Sequence, residues 1–167
     1  ATTACAEDAA ARAPVAGGHA AWQLLKKHFD ACDNAQEKFA ALLLDTRNRA
    51  IGIVDVARGG MTSVSIHPRD VFAAALAAGA TGVIVAHNHP SCVLTPSAED
   101  RALTRRMAAA GRELGIPVLD HLVVCPGGDK YTSFNEQGLL GLNGYEVPPD
   151  GAQTISGPPK RRGRRAG

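Results

Sequence analysis

The stretch Gly82-Val83-Ile84-Val85-Ala86 carries no polar side chain and runs straight into His87-Asn88-His89-Pro90. A short, unalternating apolar run rich in β-branched residues is the pattern of a strand covered on both faces. Such a strand needs a layer of structure above and below it, which confines the chain to an α/β arrangement. Pro90 has no N–H to give to a ladder, so pairing ends there and both histidines stand at the strand's exit.

The flanking segments supply the other parts of such a domain. Trp22, Leu25 and Phe29 recur at helical spacing, with Lys26 and Lys27 on the other side, and predict a short amphipathic helix. Phe39 to Leu44 and Ile51 to Val56 read as two strands joined by the turn Asp45-Thr46-Arg47-Asn48-Arg49, and a third is expected around Ser63 to Ile66. His67-Pro68-Arg69-Asp70 opens an Ala-rich helix reaching about Ala78, with Gly79 as its stop. A further helix runs from Ser97 through Leu103, Met107, Ala110 and Leu114 to Gly115, and Pro117 to Val124 and Tyr131 to Phe134 close the sheet.

Apolar residues make up 45% of the 167 residues and aromatics 4%, so the core must be built of Ala, Leu, Val and Ile in closely approaching layers. Residues 1–18 read as a flexible leader ending in Gly17-Gly18, residues 19–146 as one domain, and residues 147–167 as a disordered Pro/Gly-rich basic tail. Lys160, Arg161, Arg162, Arg164 and Arg165 outweigh the whole net charge of +2, so the domain itself is slightly acidic. It is not a basic nucleic-acid-binding body. Cys5, Cys32, Cys92 and Cys125 form no short-spaced pair; neither a zinc ribbon nor a disulfide framework is expected, and a reducing cytoplasm fits best. No signal or membrane-spanning run is visible.

The chemistry lies in His87-x-His89, seven residues, then Ser97-x-x-Asp100. Histidines two apart on extended chain project to the same side, so both imidazoles can meet one ion. Asp100, in the first turn of the next helix, can fold its carboxylate back toward them. Two nitrogens and one oxygen leave a fourth tetrahedral position for water, the pattern of a catalytic zinc. The ion would bring the pKa of that water toward about 7 and polarise a carbonyl, but a proton acceptor is still required. Glu37, Glu113 and Glu136 all carry the necessary carboxylate. Ser97 could hydrogen-bond a developing oxyanion. Ser97-x-x-Asp100 equally matches a helix capping box, and the two roles are compatible because capping holds the serine beside exposed backbone donors. The literal His-Asn-His does not make an HNH nuclease, and the Pro-Cys-x-x-Cys of zinc deaminases is missing.

With these residues in view, the sequence resembles the RadC-like JAB/MPN domain, whose motif is a glutamate followed by H-x-H-x7-S-x-x-D. The likeness extends from about Trp22 to about Leu142 and includes His67-Pro68-Arg69-Asp70-Val71-Phe72, Thr95-Pro96-Ser97-Ala98-Glu99-Asp100, Leu119-Asp120-His121 and Ser133-Phe134. It implies a three-layer, cytidine-deaminase-like α/β fold with a mixed sheet flanked by helices. It also implies one zinc ion per chain at His87, His89 and Asp100, with Glu37 as general acid/base and Ser97 at the oxyanion. Asp120 and His121 recur in the family pattern and are placed behind the ligands, where a carboxylate could orient an imidazole. Members of the family usually carry glycine where Cys92 stands and Asp-Pro in place of Val93-Leu94.

The implied reaction is JAMM-type metallopeptidase hydrolysis of an amide or isopeptide bond, in a peptide or protein conjugate, through a zinc-activated water. The alternative is a DNA-associated binding module with a non-catalytic metal site, its basic tail giving weak, sequence-blind contact with nucleic acid. Larger RadC proteins carry a helix-hairpin-helix region for which 167 residues leave no room, which weakens a DNA-repair reading. JAB/MPN domains also serve as assembly scaffolds, but those typically lack the ligand set.

Overall fold

A computed structural model describes residues 2–3, 13–31, 35–59 and 66–140. The elements in chain order are β1 (Thr2–Thr3), α1 (Gly17–Asp30), β2 (Lys38–Leu44), β3 (Ala50–Arg58), α2 (Pro68–Ala77), β4 (Gly82–Asn88), α3 (Ala98–Leu114), β5 (Val118–Val124) and β6 (Tyr131–Ser133). They form one sheet in the order β1-β3-β2-β4-β5-β6. The β4–β5 pair is parallel and every other pairing is antiparallel. Parallel neighbours need a long crossover, and α3 provides it.

The strict alternation of β2 shows why the fold has three layers. Phe39, Ala41 and Leu43 face a core closed by Val71, Phe72 and Ala75 of α2 and Leu103 and Met107 of α3. Ala40, Leu42 and Leu44 face the opposite core, closed by Ala21, Trp22, Leu25 and Phe29 of α1. The central strand β4 is buried along its whole length, as its unbroken apolar run requires. In β5 the register slips by one at Leu119, between the Val83–Val118 and Ile84–Asp120 pairs. Val118 and Val123 therefore share one face although their spacing is odd.

Helix ends follow local chemistry. Ser97 caps α3, accepting from Asp100 N at 3.0 Å while Ser97 N donates to the Asp100 carboxylate at 2.8 Å. Gly115 closes that helix at φ 69°, a left-handed position that glycine takes without a Cβ clash. Gly111 allows α3 to approach its surroundings: a Cβ there would lie 2.5 Å from the Ile116 carbonyl oxygen and 3.0 Å from Phe72 Cζ.

One expectation about the start of the chain needs amending, and one about a strand is untested. Gly17 and Gly18 do not close a leader but open α1, where a Cβ at Gly18 would lie 2.6 Å from Glu136 Oε1 and 3.3 Å from Ser133 Cβ. Ahead of them, Thr2 and Thr3 pair with Val54 and Ile53. The strand expected around Ser63 to Ile66 lies outside the described residues except for Ile66, which is buried in the core on the α2/α3 side. The basic tail, Cys5 and Cys32 also lie outside them. Among the described residues no helix is long and apolar enough to cross a membrane.

The cysteines require a correction. Cys92 and Cys125 form a disulfide with Cα atoms 4.6 Å apart. Their separation of 33 residues hides the pairing in the sequence. It arises because β4 and β5 run parallel and deliver their exits side by side, with His89 N bonded to Val124 O at 3.0 Å. The unpaired cysteines that favoured a reducing compartment are thus not all unpaired. Cys92 sits at φ 56°, a left-handed conformation that favours the glycine the family usually has there.

Candidate metal centre

His87 is the penultimate residue of β4, and His89 follows the strand by one residue. Their Nε2 atoms lie 2.9 Å apart. Asp100, the third residue of α3, brings Oδ1 to 3.2 Å from His87 Nε2 and Oδ2 to 3.8 Å from His89 Nε2. The capping box places this carboxylate: the same Ser97 N–H that completes the helix start holds Asp100 Oδ2. Burial alone would raise the Asp100 pKa, but the adjacent His87 imidazole and the Ser97 donors hold it well below the usual carboxylate range.

The donor set fits a small divalent cation. Bonds of about 2.1 Å at tetrahedral angles require ligand atoms roughly 3.4 Å apart; the two Nε2 atoms are 2.9 Å apart, and the nearer Asp100 oxygen lies 3.2 Å from His87 Nε2. His89 Nδ1 hydrogen-bonds the Val93 carbonyl. A carbonyl only accepts, so Nδ1 carries the hydrogen and the bare Nε2 lone pair faces the cluster. Among the described residues this is the one group of three or more His, Cys, Asp or Glu side chains able to converge on an ion.

Behind the cluster His121, completely buried, sits with Nε2 2.8 Å from His87 Nδ1. Its other nitrogen is 2.6 Å from Thr104 Oγ1, and that hydroxyl donates to the Asp100 carbonyl at 2.6 Å. Phe134 stacks on the His121 ring at 4.6 Å, and Phe39 meets it edge-on at 5.6 Å. Burial lowers the His121 pKa well below its ordinary value, which keeps the ring neutral.

Asp120 does not orient a ligand imidazole as expected. Its carboxylate accepts from Ser133 Oγ at 2.6 Å, His121 N at 2.7 Å and Asn135 N at 2.9 Å, stitching β5 to the turn after β6. Alternation explains the difference, since adjacent residues on a strand point to opposite faces. Burial raises the Asp120 pKa despite these three donors.

Glu37, Ser97 and the three converging side chains line one cavity of about 500 Å³, shared with Phe39 and other apolar groups. Glu37 stands immediately before β2, and Asn88 brackets it. The Asn88 amide, fully buried, accepts from Lys38 N at 2.7 Å and donates to Gln36 O at 3.2 Å. Neither Asn88 nor Thr104 was singled out from the sequence. Thr104 carries a local signal, because it lies one turn after Asp100 on the same helical face.

The profile of the RadC-like JAB domain matches residues 16–139. The chain belongs to this family. Its relatives include UPF0758 protein STH371 of Symbiobacterium thermophilum, 53% identical over 104 residues that cover 62% of this chain and 44% of the relative. UPF0758 proteins of Trichlorobacter lovleyi and Pelobacter propionicus are 47% and 45% identical over 113 residues, covering 68% of this chain and 48% of each relative. The RadC-like chain thus spans about half the length of the curated relatives it matches. Its mixed sheet between helical layers is the architecture expected of a JAB domain.

Proposed function

We propose that this RadC-like JAB domain is a zinc-dependent metallohydrolase of the JAMM type that cleaves an amide or isopeptide bond in a peptide or protein conjugate. The observation that carries the reading is the convergence of His87 Nε2, His89 Nε2 and the Asp100 carboxylate at the end of a buried strand. Lone pairs so close repel unless a proton or a metal cation lies among them. Bound there, zinc supplies a Lewis acid that polarises a carbonyl and acidifies a water molecule.

The chain's own groups supply the rest. Glu37 lines the same cavity and serves as the proton acceptor, then as the donor to the leaving nitrogen. The Ser97 hydroxyl accepts from Asp100 N, which leaves its own hydrogen free to bond oxyanion charge as it develops. Phe39, Ile66, Val93 and Leu103 give the cavity apolar walls, excluding water around the scissile bond.

The test is a cleavage screen over peptide and isopeptide-linked substrates with zinc-loaded protein, run beside Glu37→Gln and His89→Ala. Glu37→Gln keeps the metal and loses about 10²–10⁴-fold in turnover, whereas His89→Ala loses the metal. Full turnover by Glu37→Gln removes the assigned base, and a zinc-loaded wild type that cleaves nothing removes the hydrolase reading.

A further inference from the structure

We infer that Thr104, acting through His121, is a positioning residue that fixes which nitrogen of His87 is free to bind metal. The relay runs from Asp100 O to Thr104 Oγ1, His121 and His87 across contacts of 2.6, 2.6 and 2.8 Å. A threonine hydroxyl has one hydrogen. The Asp100 carbonyl cannot donate, so at 2.6 Å that hydrogen must lie between the two oxygens. Thr104 Oγ1 can then only accept from His121, which places the His121 hydrogen on Nδ1. His121 Nε2 is left as an acceptor, so His87 must donate to it from Nδ1. The lone pair of His87 Nε2 is thereby exposed to the cluster.

The relay starts at the backbone of one ligand and ends at the ring of another. Asp100 contributes its carboxylate to the centre and its carbonyl to the relay, so the start of α3 sets the position of one ligand and the ring hydrogen of the next. His121 can hold this state because its ring is completely buried and clamped by Phe39 and Phe134. Without the threonine oxygen, a hydrogen on His121 Nδ1 would be buried with no acceptor, a costly arrangement. The hydrogen moves to Nε2, and His87 must turn its own hydrogen toward the cluster, where it blocks coordination.

The inference rests on reading the cluster as a metal site but not on the hydrolytic reaction. Long-range proton–nitrogen correlation spectra of ¹⁵N-histidine-labelled protein report which ring nitrogen carries hydrogen, and competition with a chelator reports zinc affinity. Wild type shows the His121 hydrogen on Nδ1. The near-isosteric Thr104→Val loses about 10- to 100-fold in zinc affinity, and Thr104→Ser, which keeps the hydroxyl, restores it. A wild-type His121 hydrogen on Nε2 overturns the relay, as does a folded Thr104→Val that binds zinc within about twofold of wild type. If Thr104→Val does not fold, the wild-type spectrum decides alone. A protein that binds zinc with the predicted ring states yet cleaves nothing leaves the relay standing and removes only the hydrolase reading.

Discussion

Asn88 holds Glu37 by its neighbours: the one amide bonds the backbone on both sides of the glutamate, at Gln36 O and Lys38 N. Because Asn88 lies between His87 and His89, the strand exit that carries the two proposed ligands also fixes where the carboxylate chain begins. Asn88→Ala removes both bonds while leaving the three metal-facing side chains in place. Turnover is expected to fall by about 10²-fold, since misplacing a catalytic group by about 1 Å costs that much. Zinc content should be unchanged, as measured by metal analysis beside steady-state kinetics.

Gly111 reverses the usual rule for glycine in a helix. Replacement by alanine normally stabilises a helix interior by about 1 kcal/mol. Here the added Cβ would lie 2.5 Å from a backbone oxygen that cannot swing aside. Gly111→Ala is expected to destabilise the domain by about 1–3 kcal/mol, read as a lower urea midpoint with an unchanged slope.

Asp120 makes a pH signature. Its folded pKa is raised by burial above the unfolded value of about 3.9. Its contribution to stability is therefore fully present below that unfolded value and is lost as pH rises through the folded one. Relative to Asp120→Asn, which does not titrate, wild type should gain stability as pH falls from about 7 to about 3. Paired urea melts across that range give the comparison; a difference that is flat or of opposite slope contradicts it.

The Cys92–Cys125 bridge closes a loop of 33 residues, and loop-closure entropy assigns it roughly 3–4 kcal/mol. The double variant Cys92→Ser, Cys125→Ser should lose about that much stability in denaturant titration. With Cys125 already replaced by serine, Cys92→Gly should exceed Cys92→Ala by about 1 kcal/mol, because residue 92 sits at φ 56° where only glycine is unstrained.

The features legible in the sequence are those written in short-range periodicity. The apolar run from Phe39 to Leu44, the one ending at His87 and the Ser97-x-x-Asp100 start each depend on neighbours a few positions apart, and each stands where expected. What escaped depends on pairing between distant segments. The Cys92–Cys125 bridge and the His87–His121 contact both follow from β4 and β5 lying parallel with a one-residue slip at Leu119, and no local pattern states that register. Asp120 was misread for the same reason: its partners Ser133, at the end of β6, and Asn135, in the turn after it, lie far along the chain. Gly17-Gly18 read as the end of a leader, yet both glycines open α1, with Gly18 packed beside Glu136 and Ser133.

The bridge also redraws distances along the chain. His87 and His121 are 34 residues apart in sequence, but Cys92 follows the first by five residues and Cys125 follows the second by four. In the oxidised protein the covalent path between the two rings shrinks to these short arms, and the parallel strand pair, ordinarily a distant and slow contact to form, becomes a neighbourly one. A domain opened by heat or denaturant would still carry the two imidazoles on a common tether, ready to meet again without a search through the whole polypeptide.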